Sequence, residues 1–341
     1  MRRLLLLLLV TTIITLVAGA ALRSAFLPFY WGCERCAIKV KFLREHPGTY
    51  DTLIFGDSRV EYHIDPQLLD AQVRNVKPLS SFNFGISSMD PLETLYLFEH
   101  LLKEDGLRPH YVLFQVKKVL GPKNIPYDTT RGRYWMSWPF VLEALRISDE
   151  VEWHKGDALK VWRKYFAGYA LRFFGINAVD TWRKVETFAA SPNAIGPRGR
   201  GFRSMDDQLH QLWLQDGIYT FHKDTKQYDR LVSLEKLSIE YPCPRQEDKH
   251  LEFYKRLLRL SEDYGIYPIF FVIPPHWDGG TLCILSNLPP EHRLIPVMMA
   301  DHPEIFTQEN FVNNGHLNSR SARAYTLLFA KSLTDLFRQI R

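Results

Sequence analysis

The sequence predicts an α/β protein built on a parallel sheet, and three observations carry that prediction. Short uncharged runs at Thr52–Phe55, Ser81–Ile86, Tyr111–Val116 and Ile269–Ile273 have the length and apolar character of strands buried on both faces. Amphipathic helical stretches separate them. Strand and helix in alternation imply a doubly wound sheet, with ligands bound at the carboxyl ends of its strands.

The elements follow in order. Met1-Arg2-Arg3 precedes an unbroken apolar stretch from Leu4 to Leu22. That stretch is longer than a signal-peptide core of about 7–15 residues and close to the ~20 needed to cross a bilayer. Residues 1–23 therefore read as a signal anchor, and the leading arginines favour an N-in orientation with the rest of the chain on the periplasmic side. Ala18-Gly19-Ala20 also fits a cleavage site, and a removed signal is the competing reading. Cys33 and Cys36 form a C-x-x-C in a membrane-proximal segment, residues 24–50. No thioredoxin-like βαβ unit follows it, so a local disulfide, or bridges to Cys243 and Cys283, suits it better than a redox motif.

From Thr52 a split domain covers residues 51–341. The first strand runs into Gly56-Asp57-Ser58. Asp65-Pro66 opens a helix, with Asp as N-cap and Pro at the first helical position. After the second strand, Asp90-Pro91 repeats the device, Glu93 completes a capping-box spacing, and Gly106 closes the helix. The pattern then breaks between about 120 and 245, a mostly helical segment inserted after the third strand. Val151–Phe174 mixes aromatic and basic residues and suits either a core-packed amphipathic helix or one lying in a membrane interface. Ser191–Ser204, rich in Gly and Arg, reads as a basic loop that is either a solvated excursion or a grip for an anionic glycan. A helix over Gln246–Tyr264, the fourth strand and a closing helix over Ser319–Ile340 resume the α/β pattern.

Composition narrows the classes of function. Hydrophobic residues make up 46% and charged residues 24%, which excludes wholesale disorder. The net charge of +5 is spread along the chain and forms no dense basic stripe, which argues against a nucleic-acid partner. No His-Glu-x-x-His, paired C-x-x-C or phosphate-cradling glycine loop occurs, so no metal or cofactor is expected.

The chemistry sits in two distant stretches, Leu53-Ile54-Phe55-Gly56-Asp57-Ser58-Arg59 and Asn313-Asn314-Gly315-His316-Leu317-Asn318. A strand that delivers a serine to the top of a sheet, and a histidine on a polar loop, supply a nucleophile and its base. This pair resembles the SGNH (GDSL-type) hydrolase superfamily of esterases and acyltransferases. Gly56-Asp57-Ser58-Arg59 followed by Ile64-Asp65-Pro66 is similar to the branch of periplasmic alginate O-acetyltransferases and DltD-like envelope proteins. The resemblance covers roughly residues 50–120 and 246–341.

The resemblance implies a flavodoxin-like, three-layer α/β sandwich, with Ser58 as nucleophile and His316 as base. It also implies an oxyanion hole from the N–H groups of Ser58 and Gly85, with Asn83 as a further donor. The expected function is acyl transfer on O-acyl, chiefly O-acetyl, groups of an envelope or secreted polysaccharide, with a membrane-bound acyl donor as partner. Arg59, His276 and Trp277 are the expected substrate contacts. Two departures support an alternative, a non-catalytic platform that binds a glycan or an assembly partner. Asn313 stands where the family has Asp, and the family's Gly-x-Asn-Asp block is absent after Tyr111–Val116, where only Gln115 offers an amide. Asn313 can orient His316 but brings no charge, and Asp301 and Asp278 are the carboxylates within reach in sequence.

Overall fold

The computed structural model describes residues 2–26, 33–103, 106–118, 131, 137–142, 155–174, 195–196, 199–208, 221–240, 247–275 and 279–340. The chain divides into two compact units: residues 1–42 with 120–194, and residues 43–119 with 195–341.

In the first unit, α1 (Arg2–Phe26) is an unbroken apolar helix, long and apolar enough to cross a membrane over Arg3–Ala21. Helix α2 (Glu34–Glu45) begins in this unit, and its first turn carries the Cys33–Cys36 disulfide. The C-x-x-C is thus the local bridge that the spacing allowed, and Cys283 is also disulfide-bonded. Later in the unit α6 (Lys155–Phe173) reaches back to α1. Gly19 permits that approach, because a side chain there would press on the backbone of Phe173 and Phe174.

The second unit holds a four-stranded parallel sheet. Its strands are β1 (Thr52–Gly56), β2 (Ser81–Gly85), β3 (Tyr111–Gln115) and β4 (Tyr267–Phe271), in the order β2-β1-β3-β4. The register is continuous: Phe84 lies beside Phe55, Phe55 beside Phe114, and Phe114 beside Phe270, so one row of phenylalanines crosses the sheet. Their rings stack 5.1–5.8 Å apart, with Phe98 of α5 (Pro91–Lys103) edge-on to Phe55 and Phe114. Tyr254 of α8 (Glu247–Asp263) meets Phe270 on this same face. Ile54, Leu113, Ile269 and Phe271 join a second core cluster, built with Tyr325, Phe329 and Leu333 of α10 (Ser319–Gln339). Strands buried on both faces read as continuous apolar runs, which is why these four were legible.

Local chemistry sets the helix starts. Asp65 caps α4 (Pro66–Val73) by accepting from the Gln67 and Leu68 N–H groups. Asp90 accepts from Leu92 N–H at 2.9 Å while Glu93 accepts from Asp90 N–H at 3.1 Å, the reciprocal capping box that the spacing predicted. Four elements had no clear sequence signal. They are the short helix α3 (Ser58–His63), α7 (Thr225–Glu240), α9 (Gly279–Ser286), and the hairpin of β5 (Phe311–Asn313) with β6 (His316–Leu317).

Residues 199–203 form a strap along the outer edge of β2. Asn83 N–H donates to Arg200 O at 2.9 Å, Arg203 N–H donates to Glu61 O at 3.2 Å, and Tyr50 OH donates to Gly199 O at 3.1 Å. Gly201 sits at φ +79° over the Asn83 carbonyl, where any side chain would collide. The basic loop expected from Gly and Arg content is, over these residues, a docked cover for an edge strand, whose open hydrogen-bonding groups need a partner.

Candidate active site

β1 ends at Gly56, and the chain turns at once into α3. Asp57 is the N-cap, accepting from Arg59 N–H at 2.9 Å, and Ser58 is the first helical residue. From the far end of the unit, the β5–β6 hairpin brings His316 to the same point. His316 Nε2 lies 2.7 Å from Ser58 Oγ, and His316 Nδ1 lies 2.9 Å from Asn313 Oδ1. The Gly315 N–H also donates to Asn313 Oδ1 at 3.0 Å, which identifies that atom as the amide oxygen. An amide oxygen only accepts, so His316 carries its proton on Nδ1 and Nε2 is left to accept from Ser58. Ser58, His316 and Asn313 are all partly open to solvent. The arrangement has a hydroxyl, a base within hydrogen-bond reach, and a third group that fixes the base's tautomer.

Electrostatics keep the base neutral. Burial lowers the His316 pKa to about 4; Asp57 and Glu61 oppose that shift and Arg59 adds to it. Burial alone would raise Asp57, but Arg59 and Lys117 outweigh it and hold the carboxyl well below the usual range. The contacts are direct: Lys117 Nζ lies 2.8 Å from Asp57 Oδ2, and Arg59 Nη2 lies 3.2 Å from it.

Several expectations need correction here. Arg59 does not face a substrate. Its guanidinium is committed to Asp57 and to the carbonyls of Ile273 and Pro275, each 3.0 Å away, because a cation this buried needs full pairing. Asn83 is fully buried; its amide N–H groups go to Val60 O and Ile64 O, and its Oδ1 accepts from Gly85 N–H at 2.8 Å. Neither Asn83 nor the Gly85 N–H is therefore available to an oxyanion. Gly85 is glycine for a packing reason, since a side chain would run into the Glu61 backbone. Of the predicted donors, the Ser58 N–H remains, in the first turn where a helix makes no internal bond to it. Gln115 Oε1 accepts from Asp57 N–H at 2.8 Å, so the amide noted at the end of β3 supports the turn before Ser58. The His316 ring bonds to Asn313, with Asp301 taking no part. His276 and Trp277, together with Asp278, lie outside the described residues.

His63 is the residue that sequence reasoning missed. It ends the same short helix that Ser58 begins, it is fully buried, and its Nε2 accepts from Leu317 N–H at 3.0 Å. α3 thus holds both Ser58 and the residue next to His316. The rings of Tyr62 and His63 meet the His316 ring edge-on at 5.6 and 6.0 Å. Accepting at Nε2 puts the His63 proton on Nδ1, a buried N–H with no partner. A histidine at a helix end carries no signal in sequence for such a role.

No family model, curated protein or solved structure matches this chain. The site is therefore read from its own geometry. Among the described residues, no group of three or more His, Cys, Asp or Glu side chains is placed to hold a metal. A cavity of about 250 Å³ opens between the strap and the start of α10, with Asp65, Arg200, Phe202, Asp207, Ser319 and Arg323 in its lining. Ser319 lies three residues beyond His316. A second cavity, of about 340 Å³, runs along α4 to Arg74 and shares Arg200.

Proposed function

We propose that this protein is a serine-dependent acyltransferase or esterase with an SGNH-like, flavodoxin-type fold, the 120–245 segment being inserted between β3 and β4. The observation that carries the reading is the unbroken chain Ser58 Oγ, His316 Nε2, His316 Nδ1, Asn313 Oδ1, with links of 2.7 and 2.9 Å. Ser58 Oγ attacks the acyl carbon of an ester and passes its proton to His316 Nε2. The Ser58 N–H meets the developing oxyanion. Collapse breaks the ester C–O bond, and the leaving alkoxide takes the proton back from His316 as an alcohol. A second hydroxyl, from water or a sugar, then gives its proton to His316 and attacks the acyl-Ser58 carbonyl; the acyl C–Oγ bond breaks, and Ser58 Oγ takes the proton back from His316.

Arg200, Ser204, Ser319 and Arg323, with the ring of Phe202, line the cavity of about 250 Å³ and support a hydroxyl-rich acceptor there. An apolar N-terminal helix with leading arginines supports a membrane-tethered enzyme facing the extracytoplasmic side. Together with the motif resemblance, this favours O-acyl groups of an envelope or secreted polysaccharide as the substrate.

One observation favours a second reading, a catalytically silent binding platform. The Gly85 N–H, the second oxyanion donor of such a site, is already taken by Asn83. Labelling decides between the two. The full chain in detergent is treated with a fluorophosphonate and its intact mass measured, with Ser58→Ala and His316→Ala as controls. The acyl-transfer reading expects one adduct on Ser58, absent in both variants. A wild-type chain that stays unlabelled while a known serine esterase reacts would leave the platform reading.

A further inference from the structure

We infer that α6 and the segment of Trp138 beside it form a second membrane contact, lying in the anionic headgroup layer next to the point where α1 leaves the bilayer.

Position is the first argument. From Arg3 to Ala21 every residue of α1 is exposed except Gly19. At Gly19 the backbone of Phe173 and Phe174 closes on α1, so that a side chain there would meet Phe174 Cα at 3.0 Å. Gly19 is two residues from the end of the apolar span, about 3 Å along the helix axis. The carboxyl end of α6 therefore meets α1 at the level where hydrocarbon gives way to headgroups. Over Arg3–Ala21 nothing but Gly19 is buried, so α6 does not run along the apolar span toward Arg3.

Surface chemistry is the second argument. Outside α1, the large hydrophobic side chains that stay exposed among the described residues are Trp138, Leu142, Phe166, Ile295 and Leu327. Three of these five belong to this one patch. The Trp138 ring lies 6.0 Å from Phe166 and 5.8 Å from Tyr169, so the patch is a joined aromatic surface. Trp and Tyr concentrate at membrane interfaces because each has an apolar body and a polar tip.

Charge is the third argument. The sequence of α6 contains Lys155, Lys160, Arg163, Lys164 and Arg172 against a single Asp157, and Arg163 is exposed. A cationic, aromatic helix of modest hydrophobicity suits the surface of an anionic bilayer, to which each basic residue adds electrostatic attraction. A protein partner would need no basic excess and no proximity to the end of a membrane span. The inference is independent of the acyl-transfer reading.

Photocrosslinking in place tests it. p-Benzoylphenylalanine replaces Phe166 or Trp138, one at a time, in the full chain reconstituted in phosphatidylcholine vesicles with and without phosphatidylglycerol. Leu7, inside α1, serves as the lipid-facing control, and Leu327, in the second unit, as the water-facing one. We expect lipid adducts at 166 and 138 as well as at 7, and none at 327. Yields at 166 should rise several-fold with phosphatidylglycerol and lose that rise in Lys160→Glu/Arg163→Glu. Lipid adducts at 7 with none at 166 and 138 would overturn the second contact while leaving α1 as an anchor. Crosslinks at 166 to a second copy of the chain or to another protein would equally overturn it. Loss of the adduct at 7 would overturn the premise that α1 spans the bilayer.

Discussion

Asn313 accepts from both the His316 ring and the Gly315 N–H, so in the proposed mechanism it orients the ring as a triad carboxylate would, without the charge. A charge-assisted hydrogen bond is worth roughly 1–2 kcal/mol more than a neutral one, about tenfold in rate. Asn313→Asp should therefore raise the fluorophosphonate labelling rate of Ser58 about tenfold, and should raise the His316 pKa from about 4. Both changes can be read in one rate-versus-pH series. In the unaltered protein a base must be neutral to accept a proton, so labelling should be flat at neutral pH and fall only as pH drops through about 4. Stability should move in the same direction. Unfolded His316 protonates near 6.5 and the folded residue near 4, so acid favours the unfolded chain across that window, by up to ~1.4 kcal/mol per pH unit. His63, also buried and held well below the usual range, adds to the slope. Chemical denaturation at several pH values measures it, and a stability curve flat from pH 7 to 5 would contradict both burials. His63 positions the base through Leu317. His63→Leu removes the acceptor and should slow labelling about 10²-fold, as misplacement of about 1 Å does, whereas His63→Gln keeps an acceptor and should recover most of the rate. Equal rates for the two variants would assign His63 a packing role alone.

At the scale of elements, one six-residue helix carries most of the site. α3 presents Ser58 at its start and His63 at its end, and its N-cap Asp57 ties together Arg59, Lys117 and the turn after β1. Removing one partner of a buried charge network leaves the others uncompensated, at about 3–5 kcal/mol. Asp57→Ala should cost at least about 3 kcal/mol in urea unfolding, including roughly 1 kcal/mol for the lost cap. The same change removes the charge that most opposes the low pKa of His316, so its rate profile should shift further toward acid. α3 was hard to read in sequence because six residues give less than two turns of periodicity. Its residues are set by what they touch in space. The β5–β6 hairpin was missed for the same reason, since its strands are of three and two residues. The long elements were legible: α5 through its capping box and α10 through its repeating apolar face.

The whole molecule joins a parallel α/β unit to a helical unit that carries α1. The full chain should stay with membranes through alkaline carbonate extraction, as expected of an apolar helix of this length, while a chain beginning at Glu34 should lose that resistance. Recovery of the full chain in the soluble fraction would remove α1 as an anchor. The division into units also accounts for the broken pattern after β3. Residues 120–194 fall in the unit that holds α1, and residues 199–203 belong to the α/β unit as the strap that covers β2.

The sequence alone determined the strands, the capped helices, the apolar N-terminal helix and the serine and histidine of the site, because each rests on a local rule. Burial on both faces writes an apolar run, a cap writes Asp-Pro, and a strand that stops at Gly-Asp-Ser marks a turn at the carboxyl end of the sheet. Only the tertiary structure decided what those groups do to one another. It gave the Gly85 N–H to Asn83, committed Arg59 to backbone carbonyls, and brought His63 under Leu317 from 254 residues away. Hydrogen-bond partners across such distances are chosen by which strand ends and helix ends meet at one edge of the sheet, and no local pattern encodes that meeting.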